Sequence, residues 1–147
     1  MAESLTGGLV TAELTATPGS SAVVCGGVVA YATEAKRDVL GISSEILAHH
    51  GAVSAATVEA MAVGVRGTFG ADIGIATTGV AGPDTQEGHA VGTVFIGASW
   101  DANSIVRELA LTGDRAEIRA RTVESALQLL LDIVTAGLSH DPGITPA

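Results

Sequence analysis

A serine in a glycine-rich turn and a single lysine further along the chain form a pair that could perform nucleophilic catalysis. Ser4 precedes Thr6, Gly7 and Gly8 in the segment SLTGG. Such a turn at the start of a helix offers backbone N–H groups to a phosphate or to a developing oxyanion. Lys36, the only lysine in the sequence, could activate a serine if burial lowered its pKa. Each residue also has an ordinary interpretation, because serines commonly cap helices and most lysines are solvated.

Three further segments carry side chains that could complete a site. Tyr31 precedes the lysine in YATEAK. Thr78 ends a predicted strand and leads into a glycine-rich loop, at the edge where open α/β sheets bind ligands. Arg115 and Arg119 are spaced i, i+4 on one face of a predicted helix, where they could bind a phosphate or form salt bridges. None of these segments is specific when it is taken alone.

The elements that must position these residues alternate along the chain. Hydrophobic periodicity and capping residues predict helices at 5–16, 33–41, 43–51, 54–69 and 114–135, and strands at 22–31, 71–78, 92–100 and 104–112. Helices between apolar strands, with a late β-hairpin, indicate a three-layer α/β/α sandwich with a mixed, mostly parallel sheet. We expect one domain over residues 1–138 and a disordered tail over 139–147.

Composition excludes several classes of protein. Of the 147 residues, 47% are hydrophobic and 16% charged, yet no apolar run reaches the roughly 20 residues of a membrane span. We therefore expect a soluble, cytoplasmic protein without a membrane partner. The net charge of −9 argues against general nucleic-acid binding. Cys25 has no second cysteine to pair with and lies in an apolar run, so we expect it to be buried in the core.

In their order along the chain, six motifs resemble one family. The motifs are AESLTGG, VVAYATEAK, HGAVS, TTGVAGP, VGTVFIG and GDRAEIRARTV, and the resemblance to the CinA C-terminal domain family extends from Ala2 to about Leu131. This resemblance implies hydrolysis of the carboxamide of nicotinamide mononucleotide (NMN) to nicotinate mononucleotide and ammonia, within pyridine-nucleotide recycling. It also implies a homodimer or higher homo-oligomer, with no cofactor and no metal.

The resemblance assigns roles to individual residues. It implies that Ser4 is the nucleophile and that Lys36, Tyr31 and Thr78 are catalytic. It further implies substrate binding by the glycine-rich turn, the TTGVAGP loop and the last helix, through Thr6, Gly7, Gly8, Gly79, Gly82, Arg115 and Arg119. The chemistry is coherent, because amide hydrolysis needs an activated hydroxyl, a proton for the departing ammonia and donors for the oxyanion. The alternative is a catalytically silent nucleotide-binding or assembly domain with the same fold.

The first residues of the chain raise a separate expectation. Members of the family usually enter the A-E-S motif from a helix and a buried strand, whereas only three residues precede Ser4 here. We expect Met1 to Glu3 to form a stub of a central strand, with Ser4 at the carboxyl edge of the sheet. The helix and strand that usually precede the motif would then be missing from this form, making it less stable than one extended upstream, because buried amides without partners are costly.

Overall fold

A computed structural model describes residues 1–138. The predicted disorder of 139–147 lies outside the described residues. The chain folds in the order β1 (Ala2–Glu3), α1 (Leu9–Ala16), β2 (Val28–Val29), α2 (Thr33–Leu40), α3 (Ser44–His50), α4 (Ala55–Phe69), β3 (Ile73–Gly79), β4 (Thr93–Trp100), β5 (Asn103–Ala110) and α5 (Arg115–Leu138).

The five strands form one mixed sheet in the order β2-β1-β3-β4-β5. β1 pairs in parallel with both β2 and β3, whereas β3–β4 and β4–β5 are antiparallel. Four of the five strands consequently run in one direction, with β4 opposed to them. The fold is the predicted α/β class.

The sheet has a separate hydrophobic core on each face. On one face α2, α3 and α4 cover the sheet, and α4 supplies Val58, Met61, Ala62 and Val65 to the core. On the other face α1 and α5 pack against β3 and β4, with α5 supplying Ile118, Val123, Ala126 and Leu129. Side chains of neighbouring strand residues enter opposite cores, as strand geometry requires: Ile75 packs with α5 and Ala76 with α4. This arrangement gives the three predicted layers.

The helix boundaries follow the capping residues that the sequence displays. The Ser43 and Ser54 side chains accept hydrogen bonds from Ile46 N and Thr57 N at the starts of α3 and α4. α2 begins at the expected position without a side-chain cap, because its N-cap residue is Ala32. α1 begins at Leu9, later than the predicted residue 5, since residues 5–8 form a turn.

The predicted strand over 22–31 is wrong except at Val28 and Val29. β2 pairs with β1 only through Ala2 with Val28 and Glu3 with Val29, and residues 24–27 precede this pairing as loop. Gly26 and Gly27 pass close to other side chains instead, and a Cβ on them would collide with Phe69 and Thr11 respectively.

The predicted burial of Cys25 is also wrong, because this residue is exposed in the segment before β2. An apolar run predicts burial only where a second element covers it. Here the segment is loop, and its neighbour Val23 is exposed as well.

Within the expected stub over Met1 to Glu3, Ala2 and Glu3 form a short interior strand. β1 lies between β2 and β3, and the Met1 ammonium donates a hydrogen bond to Gly26 O at 2.9 Å. Ser4 N continues the ladder by donating to Thr77 O at 3.0 Å. Ser4 therefore lies at the carboxyl edge of the sheet. The lower stability expected of this form relative to one extended upstream stays a prediction.

Candidate active site

A cleft of about 160 Å³ opens at the carboxyl ends of β1 and β3. Its walls come from the turn after β1, the start of α2, the segment before α4, the loop between β3 and β4, and the start of α5. The lining residues are Ser4, Leu5, Tyr31, Lys36, Ala52, Val53, Thr78, Gly79, Val80, Ala81, Gly82, Asp84, Gln86 and Arg115. We call this the Ser4 cleft. It lies where parallel strands end, the usual position of ligand sites in open α/β sheets.

Ser4 and Lys36 meet in this cleft although 32 residues separate them. Lys36 Nζ lies 3.2 Å from Ser4 Oγ. Two backbone carbonyls also accept from the amine, Ala30 O at 2.9 Å and Tyr31 O at 3.3 Å. A neutral amine has two N–H donors and one lone pair. In the structure Nζ donates to all three oxygens, as an ammonium would. Once the amine is deprotonated, the two carbonyls can keep both N–H donors, which leaves the lone pair for the Ser4 hydroxyl proton.

The environment of Lys36 favours this neutral form. Only 1% of the residue is exposed, and burial lowers the pKa of Lys36 because the charged ammonium loses its hydration. The negative charge of Glu87 opposes the shift without cancelling it. A lysine in such surroundings can act as a base, whereas a solvated one remains protonated at neutral pH.

The turn that carries Ser4 is held by Glu3, a fully buried carboxylate. Its oxygens accept from Gly8 N, Val10 N and Thr11 N at 2.8–3.0 Å and from the Thr11 hydroxyl at 2.7 Å. Burial opposes ionisation of Glu3, but hydrogen bonding from Thr6, Thr11 and Val10 outweighs it and lowers the pKa of Glu3. Glu3 thus fills the capping position at the start of α1, where Gly8 has no side chain to do so.

This arrangement changes which backbone amides could bind an oxyanion. Gly8 N is bonded to Glu3, and Gly7 N donates to Ser4 O at 3.1 Å. Leu5 lines the cleft directly after Ser4, and its N–H has no acceptor within residues 1–138. Of these three amides, only that of Leu5 is left as a candidate oxyanion donor, because the two glycine amides stabilise the turn itself.

Thr78 and Thr6 have different surroundings. The Thr78 hydroxyl donates to Ala52 O at 2.7 Å, so its oxygen can only accept from a ligand. Thr6 is fully buried with its hydroxyl 2.8 Å from that of Thr77. Thr78 lines the cleft, whereas Thr6 joins the turn to β3 behind the cleft wall.

The two arginines of α5 also separate. The exposed Arg115 lines the cleft mouth and donates to Gly82 O at 2.7 Å and to the Tyr31 hydroxyl at 3.0 Å. Arg119 donates to Leu5 O and Thr6 O, each at 3.0 Å, and so supports the turn from outside the cleft. Together Arg115 and Tyr31 link α5 to the end of β2 across the opening.

Most of the residues implied by the resemblance converge on the cleft. Seven of them line it: Ser4, Tyr31, Lys36, Thr78, Gly79, Gly82 and Arg115. Of the other four, Thr6, Gly7 and Gly8 belong to the turn after Ser4, and Arg119 supports this turn from α5. Sequence reasoning missed Glu3, Asp84, Gln86 and Glu87. The only sequence signal for the last three was their place within the glycine-rich loop that follows Thr78, as acidic or amide side chains.

Residues 1–138 contain no group of three or more His, Cys, Asp or Glu side chains placed to hold a metal ion. No helix among these residues is both long and apolar enough to cross a membrane.

Comparisons with known proteins identify the family. The family profile described as "CinA C-terminal domain" matches residues 1–134. A CinA-like protein of Frankia casuarinae is 51% identical over 140 residues, which cover 95% of this chain and 32% of that protein. A putative competence-damage inducible protein of Bacillus subtilis is 45% identical over 133 residues, which cover 90% of this chain and 32% of that protein. The chain spans about a third of the length of these curated relatives.

Solved structures agree in fold. The competence damage-inducible protein A of Klebsiella pneumoniae superposes with a TM-score of 0.87 at 38% identity, over 95% of this chain and 84% of that one. A CinA superfamily protein of Escherichia coli gives a TM-score of 0.87 at 32% identity, over 90% of this chain and 77% of that one. The chain belongs to the CinA C-terminal domain family.

Proposed function

We propose that this domain hydrolyses the carboxamide of NMN to nicotinate mononucleotide and ammonia, with Ser4 as nucleophile and Lys36 as general base. The observation that carries the proposal is the buried Lys36 amine 3.2 Å from Ser4 Oγ, at the edge of the sheet where ligands bind. Amides are poor electrophiles, so a hydroxyl must be activated to attack them. A buried lysine with a lowered pKa supplies that activation without a histidine.

In the first step, the Ser4 oxygen attacks the carboxamide carbon while Lys36 Nζ takes the hydroxyl proton. Negative charge develops on the carbonyl oxygen, and the Leu5 N–H is our candidate donor to it, because Leu5 lines the cleft and its amide carries no other bond among the described residues. One such donor typically contributes about 10²–10³ in rate. In α/β-hydrolases, too, the amide that follows the nucleophile contributes to the oxyanion hole.

In the second step, the intermediate collapses and the C–N bond breaks. The Lys36 ammonium returns its proton to the departing nitrogen, which leaves as ammonia. Thr78 can accept a hydrogen bond from the carboxamide NH2, because its own proton is engaged with Ala52 O. Water then attacks the ester on Ser4, Lys36 takes a water proton, and the proton passes to Ser4 as nicotinate mononucleotide is released.

The cleft mouth suits the remainder of this substrate. Arg115 offers a cation to the 5′-phosphate, which a chain of net charge −9 must attract locally. Tyr31, 59% exposed beside Arg115, presents an aromatic ring to the positively charged pyridinium. Ser4 and Lys36 would act on the carboxamide at the inner end, so the nucleotide would extend from Ser4 towards the mouth.

Release of ammonia from NMN by the purified protein tests the proposal, and the riboside serves as the second substrate. Ser4→Ala should abolish release, whereas Ser43→Ala, which removes the α3 cap instead, should retain it. A protein that binds NMN tightly but releases no ammonia would instead be the silent nucleotide-binding or assembly domain.

The homodimer or higher homo-oligomer implied by the resemblance belongs to the same proposal. Sedimentation velocity measures the assembly state directly, and a purely monomeric active enzyme would refute this part.

A further inference from the structure

Glu87 lies at the tip of a small hairpin in the loop between β3 and β4. Gln86 N donates to His89 O at 3.2 Å and His89 N to Gln86 O at 2.8 Å, which closes a two-residue turn. Both turn residues have positive φ, 51° at Glu87 and 80° at Gly88, as in a type I′ turn. Glutamate is uncommon in this backbone region, so a tertiary contact must favour it here.

That contact is made by the Glu87 carboxylate. Its Oε2 accepts from Ala52 N at 2.8 Å and from Val53 N at 3.1 Å, in the segment that leads into α4. The preceding residue, Gly51, has φ 75°, and a Cβ there would collide with Glu87 Oε2. The glycine therefore gives the carboxylate room to reach both amides.

The segment bound by Glu87 is a wall of the Ser4 cleft. Ala52 and Val53 line the cleft, and Ala52 O accepts the Thr78 hydroxyl at 2.7 Å. The Ala52 peptide groups are thus held from both sides, by the loop through Glu87 and by the end of β3 through Thr78. The loop itself supplies four further lining residues between Val80 and Asp84, together with Gln86.

Glu87 also acts on Lys36 through its charge, since it is the charged group that raises the pKa of the lysine against the effect of burial. Other titratable groups at the cleft are Tyr31, Asp84 and Arg115. On α4, which packs against α2, Glu59 and Arg66 are engaged with the β4–β5 hairpin.

We propose that Glu87 is a positioning residue of the Ser4 cleft, which fastens the β3–β4 loop to Ala52 and Val53 and so holds its negative charge beside the cleft that Lys36 lines. Its effect on turnover rests on the proposed amidohydrolase function, but its effects on the loop and on Lys36 do not. Both can therefore be measured without substrate.

Because the sequence contains one lysine, protein labelled with 13Cε-lysine gives a single signal whose pH titration reports on Lys36. In Glu87→Gln, which keeps an oxygen acceptor but removes the charge, the titration midpoint should move to lower pH. Glu13→Gln is the matched control, because it removes the same charge from an exposed position on α1; it should leave the midpoint in place. An unchanged midpoint in Glu87→Gln would overturn the electrostatic part of the proposal.

Amide exchange at Ala52 and Val53 tests the fastening of the loop. Glu87→Ala removes the acceptor, so these two amides should exchange about tenfold to a hundredfold faster, as expected for lost hydrogen bonds to a charged group. Glu87→Gln should accelerate them less. Wild-type exchange rates in Glu87→Ala would overturn the fastening role.

Activity measurements then connect the residue to catalysis. If the domain hydrolyses NMN, the acidic limb of the kcat/KM profile should move to lower pH in Glu87→Gln, because the base loses its proton earlier. A limb that stays in place while the lysine signal shifts would show that Lys36 is not the base. That result would refute Lys36 as the general base of the proposed reaction and leave the role of Glu87 intact; absence of any ammonia release would refute the proposed function itself, again without affecting the measurements made without substrate.

Discussion

Lys36 Nζ and Ser4 Oγ lie 3.2 Å apart, and the lysine is fixed by two carbonyls at the end of β2. This relationship predicts that Lys36→Ala loses about 10²–10⁴ in kcat for NMN, the usual contribution of a general base. Arg37→Ala, which removes the neighbouring exposed cation on α2, should retain activity. Ammonia release and circular dichroism measure turnover and folding, and near wild-type turnover in Lys36→Ala would refute the mechanism.

The same lysine should make stability depend on pH. Burial lowers its pKa in the folded state below the value of about 10.4 expected when unfolded. Between the folded-state pKa and the unfolded-state pKa, Lys36 is protonated in the unfolded chain but not in the folded one. The contribution of Lys36 to the free energy of unfolding therefore rises with pH in this range. Lys36→Met fills similar space without titrating, and should remove this rise. Urea unfolding across the alkaline range measures the difference, and parallel pH profiles would contradict it.

Glu3 should contribute to stability in the opposite pH range. Replacing its carboxylate in Glu3→Gln weakens several hydrogen bonds to a buried group, and should lower the free energy of unfolding by about 2–3 kcal/mol at neutral pH. Because the folded-state pKa of Glu3 is lowered, the stabilisation is present above about pH 4.3. It is lost as the pH falls through the folded value. Wild type and variant should therefore converge in acid, and Glu13→Gln is the control.

Arg115 and Arg119 should respond differently to truncation. Arg115→Ala should raise KM for NMN by about tenfold to a hundredfold, the value of a charge-assisted hydrogen bond. It should affect the riboside, which lacks the phosphate, much less. Arg119→Ala should impair both substrates similarly, because Arg119 supports the turn through Leu5 O and Thr6 O. Equal losses on both substrates in Arg115→Ala would indicate a structural role for that residue too.

The exposure of Cys25 gives a simple check of the segment before β2. The thiol should react fully with a disulfide reagent in native buffer, at a rate close to that in denaturant. Strong protection in the native protein would show that the segment is covered.

The sequence alone determined the elements that carry their own local signals. α3 and α4 are preceded by serines whose side chains cap them, and α2, α3 and α4 are followed directly by Gly41, Gly51 and Gly70. β3, β4 and β5 were predictable within about two residues, because each is an apolar run bounded by turn residues. The motifs also led to Ser4, Lys36, Thr78 and Arg115 as site residues, and all four line one cleft.

Only the tertiary structure decided what depends on contacts between distant segments. The run before β2 has the composition of a strand, yet only Val28 and Val29 pair with β1. Their partners are the two residues of β1, Ala2 and Glu3. Glu3 and Glu87 appear in the sequence as ordinary acids, but folding brings their carboxylates to backbone amides at α1 and before α4. The lowered pKa of Lys36 likewise exists only once the sheet and the helices exclude water from its amine, because desolvation is a property of the packed chain and not of the residue.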